Sequence, residues 1–466
     1  MGKEKRPNDR YSTAEVARRV GIHRDTLLRW LRKGEIPEPR RDKRGWRVFY
    51  KQDVDRILAI TERETVYQTV PMAISDEALN RLEAIDWSFS DAKTKYLTHG
   101  LHPYPAKFIP QIPNALIQEL SHVGDTVMDM FCGSGTTLVE ALLLKRHAVG
   151  IDANPLACLV SKAKIAAIGP NGEEELRTLA DKASKWAETL CLESRGSLFG
   201  SEPFVSKASR PDADALQFWF DPYVIEELAE IMTWCRDLTS EPARLIALAT
   251  FSSIIVAVSK QDSDTRYVRR EKNMPHGEVF RRFSRSLRTA TDSASELTNL
   301  IEPRFRGEVI HANVLEAPHV DPVDLVVCSP PYPNAYSYHL YHMTRMLWLG
   351  MDQPKFKEEE IGSHRKYSRK GPNGANSDTF REEMDTLFGW LMDALRKGHY
   401  ACFVVGDSTI RGERIDNATL LSEAAGQHGF VECARLDRKL QATKKAFNPK
   451  IGKIKTERIL ILRNSG

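Results

Sequence analysis

Four residues in the second half of the chain could do chemistry together: Ser329, Pro330, Pro331 and Tyr332. They follow Val-Asp-Leu-Val-Val-Cys (323–328), whose apolar run from Asp324 to Cys328 suits one buried parallel strand. The prolines lack backbone donors and have fixed φ, so the strand must end where they begin. The carboxyl ends of parallel strands are where open α/β sheets place their ligands. A rigid turn there holds one hydroxyl, outward carbonyls and one aromatic ring. The Ser329 hydroxyl and the Pro330 carbonyl can accept N–H hydrogens, and the Tyr332 ring can stack on a flat partner. That set suits a nucleobase with an exocyclic amine.

A second constellation lies almost 200 residues upstream. Thr126–Met130 predicts a strand, and Phe131-Cys132-Gly133-Ser134-Gly135-Thr136-Thr137 a tight glycine turn opening a helix over Leu138–Lys145. His147–Ile151 is the next strand, ended by Asp152. Glycines let the backbone approach a ligand closely, and the helix N-terminus offers free N–H groups. An acidic residue at the end of the second strand can accept two ribose hydroxyls. The turn lacks the Gly-x-x-x-x-Gly-Lys of a phosphate loop, which argues against ATP. Just upstream, the Pro-rich stretch 99–110 contains Tyr104, Pro105, Ala106, Lys107 and Phe108 and cannot be helix interior.

Ser329–Tyr332 resembles motif IV of the amino-methylating (N4-cytosine/N6-adenine) DNA methyltransferases, in the Ser-Pro-Pro-Tyr form most associated with N4-cytosine enzymes. Phe131–Thr137 looks like motif I of that family, Asp152 like motif II, and the 99–110 stretch like motif X. Met130 departs from it, standing where the family usually has proline; the change bears on loop stiffness more than on ligand choice. The resemblance implies S-adenosylmethionine as cofactor, held by Tyr104, Pro105, Ala106, Lys107, Phe108, Asp129, Phe131, Cys132, Gly133, Ser134, Gly135, Thr136, Thr137, Asp152, Asn154 and Pro155. It implies Ser329, Pro330, Pro331 and Tyr332 as the catalytic set, acting on a base flipped out of a duplex. The chain has no Pro-Cys dipeptide, so the covalent cysteine route to 5-methylcytosine lacks its usual nucleophile motif. The expected activity is site-specific transfer of methyl to N4 of cytosine in double-stranded DNA, in restriction–modification or phage defence. N6 of adenine, an RNA substrate, and a DNA-binding regulator with a silent methyltransferase domain stand as alternatives. Recognition sequence, oligomeric state and the existence of a partner nuclease are left open.

Two separated motifs meet only if their strands are neighbours. The expected fold is therefore α/β, a Rossmann-like methyltransferase doubly wound sheet, with a helical insertion and an N-terminal winged helix-turn-helix domain. The expected boundaries are 1–58 for the N-terminal domain, 59–95 for a linker that ends in the first helix of the next domain, 96–165 and 306–466 for the two parts of the methyltransferase domain, and 166–305 for the insertion. Within the insertion, 260–272 reads as a polar basic loop, and Arg266, Arg269 and Arg270 are candidate DNA contacts. Tyr336–Gly350 predicts an aromatic helix packed behind the active loop, and 353–380 a polar loop.

Residues 11–58 predict two short helices, a turn at Gly21 and a wing strand Trp46–Tyr50. The pattern Val16-Ala17, Gly21, Thr26-Leu27, Trp30, Gly34 and Arg47…Tyr50 resembles the MerR winged helix-turn-helix. Residues 1–56 hold 17 Lys+Arg against 9 Asp+Glu, a difference of +8, more than the +4 of the whole chain. A local basic surface of this kind is the electrostatic footprint of a duplex-binding module, with Arg24, Arg29, Arg44 and Arg47 as candidates. At 466 residues, 41% hydrophobic and 28% charged, the composition is that of a soluble globular chain of two or three domains. The seven cysteines form no Cys-x-x-Cys pair, so neither a metal site nor a disulfide framework is expected. With no apolar signal segment, the expected location is cytoplasmic, with no membrane contact.

Overall fold

The computed structural model describes residues 10–20, 24–33, 36–42, 47–54, 57, 76–107, 109–196, 204–211, 214–334, 336–368, 374–439 and 456–466. Its centre is a seven-stranded sheet. In chain order the strands are β1 (Thr126–Asp129), β2 (His147–Asp152), β3 (Gly307–His311), β4 (Val323–Cys328), β5 (Leu395–Gly406), β6 (Phe430–Lys439) and β7 (Thr456–Asn464). Their spatial order is β6-β7-β5-β4-β1-β2-β3. β1 to β5 pair in parallel, and β7 runs antiparallel to both β5 and β6. This is an α/β fold with a mostly parallel central sheet. The order reverses between β1 and β4, which pair at Val127↔Leu325 and Met128↔Val326.

Burial on both faces explains the composition of the central strands. In β4, Val326 and Cys328 pack into one helical layer and Leu325 and Val327 into the other. β5 alternates the same way, with Ala401, Phe403 and Val405 on one side and Cys402 and Val404 on the other. Helices Ser377–Ala394 and Asn417–Gln427 cover the first face, and Gln111–Leu120 and Thr136–Leu143 cover the second. At the opposite end from the motifs, Asp324 staples three strands together. Its Oδ2 accepts from Thr126 N at 2.8 Å, Arg396 pairs with Oδ1, and its carbonyl meets His399 Nδ1 at 2.7 Å.

The described residues within 166–305 are mainly helical, as the pattern implied, with Pro170–Gly196, Pro222–Arg236, Glu241–Val258 and Glu278–Leu300 around a core of their own. That core is not detached, since it includes Ala163 and Trp348 from outside this span. Glu241–Val258 is long and apolar enough to cross a membrane by length and composition alone, but it is mostly buried as the core helix of the lobe. Its Ile246, Ala249, Phe251 and Ile255 lie in the centre of the lobe. In the N-terminal part, helices Thr13–Val20 and Arg24–Lys33 pack with a ribbon of Arg10–Tyr11, Arg47–Tyr50 and Arg40–Arg41. Its core is Val16, Ala17, Val20, Leu27, Leu31, Ile36, Phe49, Val54 and Ile57. Ser12 and Glu15 cap the first helix reciprocally, Ser12 N donating to Glu15 at 2.7 Å and Glu15 N to Ser12 Oγ at 3.3 Å.

Within 59–95, helix Asp76–Glu83 and Trp87 pack on the core around the central sheet, where the Trp87 carbonyl accepts from Arg438 at 3.0 Å. Three expectations are corrected. Residues 260–272 are not simply a loop: Gln261–Ser263 pairs with Arg266–Arg269 as a hairpin. The aromatic helix is broken at His342 into Tyr338–Tyr341 and Met343–Leu349. Its halves are held by different partners, the first by Glu360 and the second by the hairpin. Within 353–380 stand helices Gln353–Glu359 and His364–Ser368, the former capped by Asp352 with Pro354 in its first turn. Polar residues read as solvated loop are here caps and anchors.

Gly150 on β2 shows how tightly the sheet meets helix Thr136–Leu143. A Cβ there would lie 2.7 Å from Leu138 Cδ1 and 3.0 Å from Cys132 Sγ. Gly150→Ala is expected to destabilise the fold by about 1–3 kcal/mol through overpacking. Urea unfolding reads this directly, and an unchanged midpoint would show that the helix yields freely.

Candidate active site

The ends of β1 and β4 lie side by side where the strand order reverses, the position at which open sheets bind ligands. Ser329 leaves β4 there. Its hydroxyl donates to the Val404 carbonyl of β5 at 3.0 Å. The Tyr332 hydroxyl donates to the same carbonyl at 3.2 Å and reaches Glu457 Oε1 at 3.2 Å. Glu457 is held in turn by Arg438. The phenol of Tyr332 is pushed well above its usual pKa by burial and by the Glu457 charge, so it remains a donor. Gly362, at φ +72°, backs this turn: a Cβ there would lie 2.9 Å from the Tyr332 carbonyl and 3.2 Å from that of Pro331. Its own carbonyl accepts from Asn334 N at 3.0 Å. The polar segment after residue 353 is therefore part of the site's frame.

The glycine turn is folded onto two carboxylates. Gly133 and Gly135 have φ of +50° and +74°, which β-carbon-bearing residues rarely adopt. Asp152 accepts from Gly133 N at 2.8 Å and Asn154 N at 2.8 Å, and the surrounding protein pushes its carboxyl up to about 6. Asp129 is buried, accepting from Phe131 N at 3.1 Å and Thr137 Oγ1 at 2.7 Å, and burial pushes it up to about 7. Thr137 Oγ1 also lies 3.3 Å from the Val327 carbonyl, joining the turn to β4 two residues before Ser329. Ser161 Oγ donates to the Gly133 carbonyl at 2.8 Å, and the buried Lys164 ammonium donates to Ser134 Oγ at 3.1 Å. Asp129, Cys132, Ser134, Thr136 and Thr137 are buried and shape the turn from within, whereas Phe131, Gly133, Asp152 and Pro155 are partly open.

The Pro-rich stretch walls the turn. Tyr104 accepts from Asn154 Nδ2 at 3.0 Å, and its ring lies 3.7 Å from where a Gly133 Cβ would be. Pro105 is buried, Ala106 exposed, and Lys107 donates to the His99 carbonyl at 2.9 Å; Phe108 lies outside the described residues. Glu140, on the turn's own helix, pins this wall by accepting from His99 at 2.7 Å, Tyr96 at 2.5 Å and Asn114 at 2.7 Å. These donors hold its carboxyl below the usual value despite burial.

The sequence reading missed the other half of this wall. The Tyr104 ring stacks on Tyr338 at 6.0 Å and meets His342 at 4.8 Å. The aromatic segment thus faces the glycine turn instead of packing behind the active loop. Tyr336, Tyr338, Tyr341 and His342 in one short stretch were the available signal.

The remaining described candidates are on elements other than those that carry the two motifs. Arg266, Arg269 and Arg270 are exposed on the hairpin. Arg24 is exposed at the start of its helix; Arg47 is paired with Glu38 at 2.8 Å. Arg29 is on the helix Arg24–Lys33, and Arg44 lies outside the described residues.

Residues 13–163 match the DNA methylase family model of N6/N4 type. The matched stretch includes the Pro-rich segment, the glycine turn and Asp152, and ends before Ser329. The type II methyltransferase M.MvaI of Kocuria varians is 32% identical over 174 residues, 37% of this chain and 36% of that protein. The type II methyltransferase M.BsoBI of Geobacillus stearothermophilus is 22% identical over 276 residues, 56% and 54% of the two chains. Over these stretches the chain is similar to DNA methylases of N6/N4 type. It spans between about a third and about half of the length of these two relatives. A putative DNA modification methylase of Thermus thermophilus, solved with S-adenosyl-L-methionine, is 19% identical over 33% of this chain and 54% of its own, with a TM-score of 0.21.

Burial of Asp129 has a consequence for stability. Its folded-state pKa of about 7 lies above the ordinary 3.8, so the folded protein binds the extra proton between those values. This group's contribution to stability therefore falls as pH rises from about 4 to about 7. Asp129→Asn can keep both hydrogen bonds if the Thr137 hydroxyl turns toward Val327. The variant is expected to gain stability over wild type as pH rises from 5 to 8. Thermal melts at the two pH values test this, and a constant difference would mean that Asp129 is ionised throughout.

Proposed function

We propose that the chain transfers a methyl group from S-adenosylmethionine to the exocyclic N4 of cytosine in duplex DNA. One observation carries this reading above the rest. The Ser329 hydroxyl lies 3.0 Å from the Val404 carbonyl and 3.4 Å from the Tyr332 hydroxyl, so its proton is engaged within the protein whichever of the two it points at, and a lone pair is left for a ligand. Such a group accepts an amine N–H and does not donate to a ring nitrogen or a carbonyl.

The donor set around the glycine turn fits the cofactor. Asp152 is a partly open carboxylate whose charge burial disfavours, and two ribose hydroxyls are the donors that would stabilise it. Gly133, Phe131 and the Tyr104–Tyr338 pair supply close backbone and aromatic surface. When bound, S-adenosylmethionine supplies an electrophilic methyl group. The chain's own residues supply alignment. Ser329 and the Pro330 carbonyl accept the amine hydrogens, which draws the nitrogen lone pair out of conjugation with the ring. Tyr332, its hydroxyl fixed by Val404 and Glu457, offers a ring of set orientation for stacking. Ser329 is a neutral acceptor, so the gain is positional and precedes any proton removal.

Incubation with duplex DNA, nuclease digestion and mass spectrometry separate the candidate products. N4-methylcytosine is expected. N6-methyladenine would overturn the choice of base, 5-methylcytosine the mechanism, and no mark on any DNA the activity itself. Ser329→Ala is expected to lower kcat about 100-fold, the scale of a misplaced reacting group, with cofactor affinity unchanged.

The N-terminal segment, with its +8 balance over residues 1–56, serves duplex binding in this reading and takes no part in the chemistry. Removing residues 1–58 is expected to flatten the salt dependence of DNA binding, by about 0.9 in log–log slope for each phosphate that the segment neutralises. An unchanged slope would assign that segment a different partner.

A further inference from the structure

The helical lobe reaches the active site through the hairpin Gln261–Ser263/Arg266–Arg269. Its first strand and turn are fastened to the aromatic wall. Gln261 donates to the Tyr341 carbonyl at 3.2 Å and accepts from Thr344 at 2.9 Å. Asp264, in the turn, pairs with the fully buried Arg345, whose Nε donates to the Ser252 carbonyl at 3.0 Å. The second strand is exposed along its whole length. It presents Tyr267, 38% exposed, and Val268, 58% exposed, with Phe218, 53% exposed, beside Arg269. Large apolar side chains held in water on an anchored ribbon mark a surface that something covers.

The surroundings say what kind of partner that is. Arg266 and Arg270 flank the pair and reach Asp262 at 3.3 and 3.4 Å, while Arg269 reaches Glu271 at 2.6 Å. Exposed pairs of this sort are weak and screened, so the guanidinium groups remain available to phosphate. Arg365, on the segment that backs the Pro-Pro-Tyr turn, lies 5.8 Å over the Tyr267 ring. The Tyr267 ring also meets Tyr341 at 6.1 Å, and Tyr341 meets Tyr336, so the exposed tip continues the wall that ends at Tyr104. Alternating arginines and apolar side chains match a polyanion with a stacked interior.

We propose that the second strand of this hairpin, through Tyr267, whose ring lies on the strand face toward the aromatic wall, is a wedge that enters the base stack of duplex DNA beside the extruded target base. The inference rests on the DNA methyltransferase reading above. Taking a base out of the helix leaves a gap, and an apolar side chain that fills it restores part of the lost stacking. Tyr267 fills the gap, Val268 lies on the opposite face of the strand, and Arg266, Arg269, Arg270 and Arg365 hold the flanking phosphates. The ties from Gln261 and Asp264 set the distance from wedge to cleft, so insertion and extrusion happen in one register.

The test uses full-length protein and a duplex carrying the sequence found methylated by single-molecule sequencing, with a fluorescent base analogue at the target position. Tyr267→Ser is expected to lose the fluorescence rise of base extrusion and to raise the KM for intact duplex about tenfold, within the range of one lost stacked ring. Cofactor affinity and melting temperature are expected to stay at wild-type values, since the side chain is exposed. Tyr267→Phe keeps the ring and is expected to extrude the base as wild type does. A duplex with an abasic residue opposite the target, whose stack is already broken, is expected to restore the Tyr267→Ser variant. Normal extrusion by Tyr267→Ser, or equal loss in Tyr267→Phe, would overturn the wedge and leave the methyltransferase reading standing. Failure of wild-type protein to bind or methylate any duplex would overturn both.

Discussion

The pairing of β1 with β4 is the constraint on which the site depends. Thr126 and Asp324, 198 residues apart, are joined at one end of these strands, and Thr137 and Val327 are joined at the other. The Thr137 hydroxyl is small, buried and bonded in two directions, to Asp129 and to the β4 backbone. It sets the height of the glycine turn against the strand that presents Ser329. A shift of one residue in this register would move every β4 side chain to the opposite face. Leu325 and Val327 would then exchange layers with Val326 and Cys328, and Ser329 would leave the cleft.

Several carboxylates near the cleft act as fasteners, and their environments differ in an instructive way. Glu140 is fully buried yet held below its ordinary pKa, because His99, Tyr96 and Asn114 donate to it. Asp129 is equally buried and is pushed up to about 7, because two donors do not offset desolvation. Asp152, with two backbone donors and an open side, lies between. Of the three, only Asp152 has both the exposure and the unmet need for donors that a ligand can answer.

The lobe formed by residues 166–305 is tied into the α/β domain around the central sheet. Arg345 is completely buried, held by Ser252 of the lobe and by Asp264 of the hairpin, and its Nη1 lies 3.4 Å from His342 Nδ1. His342 packs on Tyr104, which packs on the glycine turn. Burial and the Arg345 charge push the His342 imidazole well below its usual pKa, so this chain of contacts is neutral at its centre. An arginine with no exposed surface that reaches an aspartate in a surface turn couples the two regions mechanically, since losing either partner would leave a charge unpaired in the interior.

By itself the sequence determined the parts whose signals are local. The strands ended by Asp129, Asp152 and Cys328 were legible because buried parallel strands read as continuous apolar runs and stop at acids or prolines. The glycine turn was legible because Gly133 and Gly135 answer a local backbone need, whereas the neighbourhood of the two motifs was only implied by the family resemblance and rests on the pairing of β1 with β4. Tertiary structure alone decided the second wall of the cleft. Tyr338 and His342 face the turn because Glu360, Gln261 and Arg345 pull two halves of one apparent helix in different directions. The same holds for Gly362, whose positive φ matters only because the backbone of Pro331 and Tyr332 runs against it. Polar residues such as Glu360, Asp264 and Arg345 look solvated in a sequence, because helical and turn periodicity records what water would accept. Whether a distant donor meets them is settled only when the chain is folded, and in this protein those distant meetings build the half of the site that the motifs leave out.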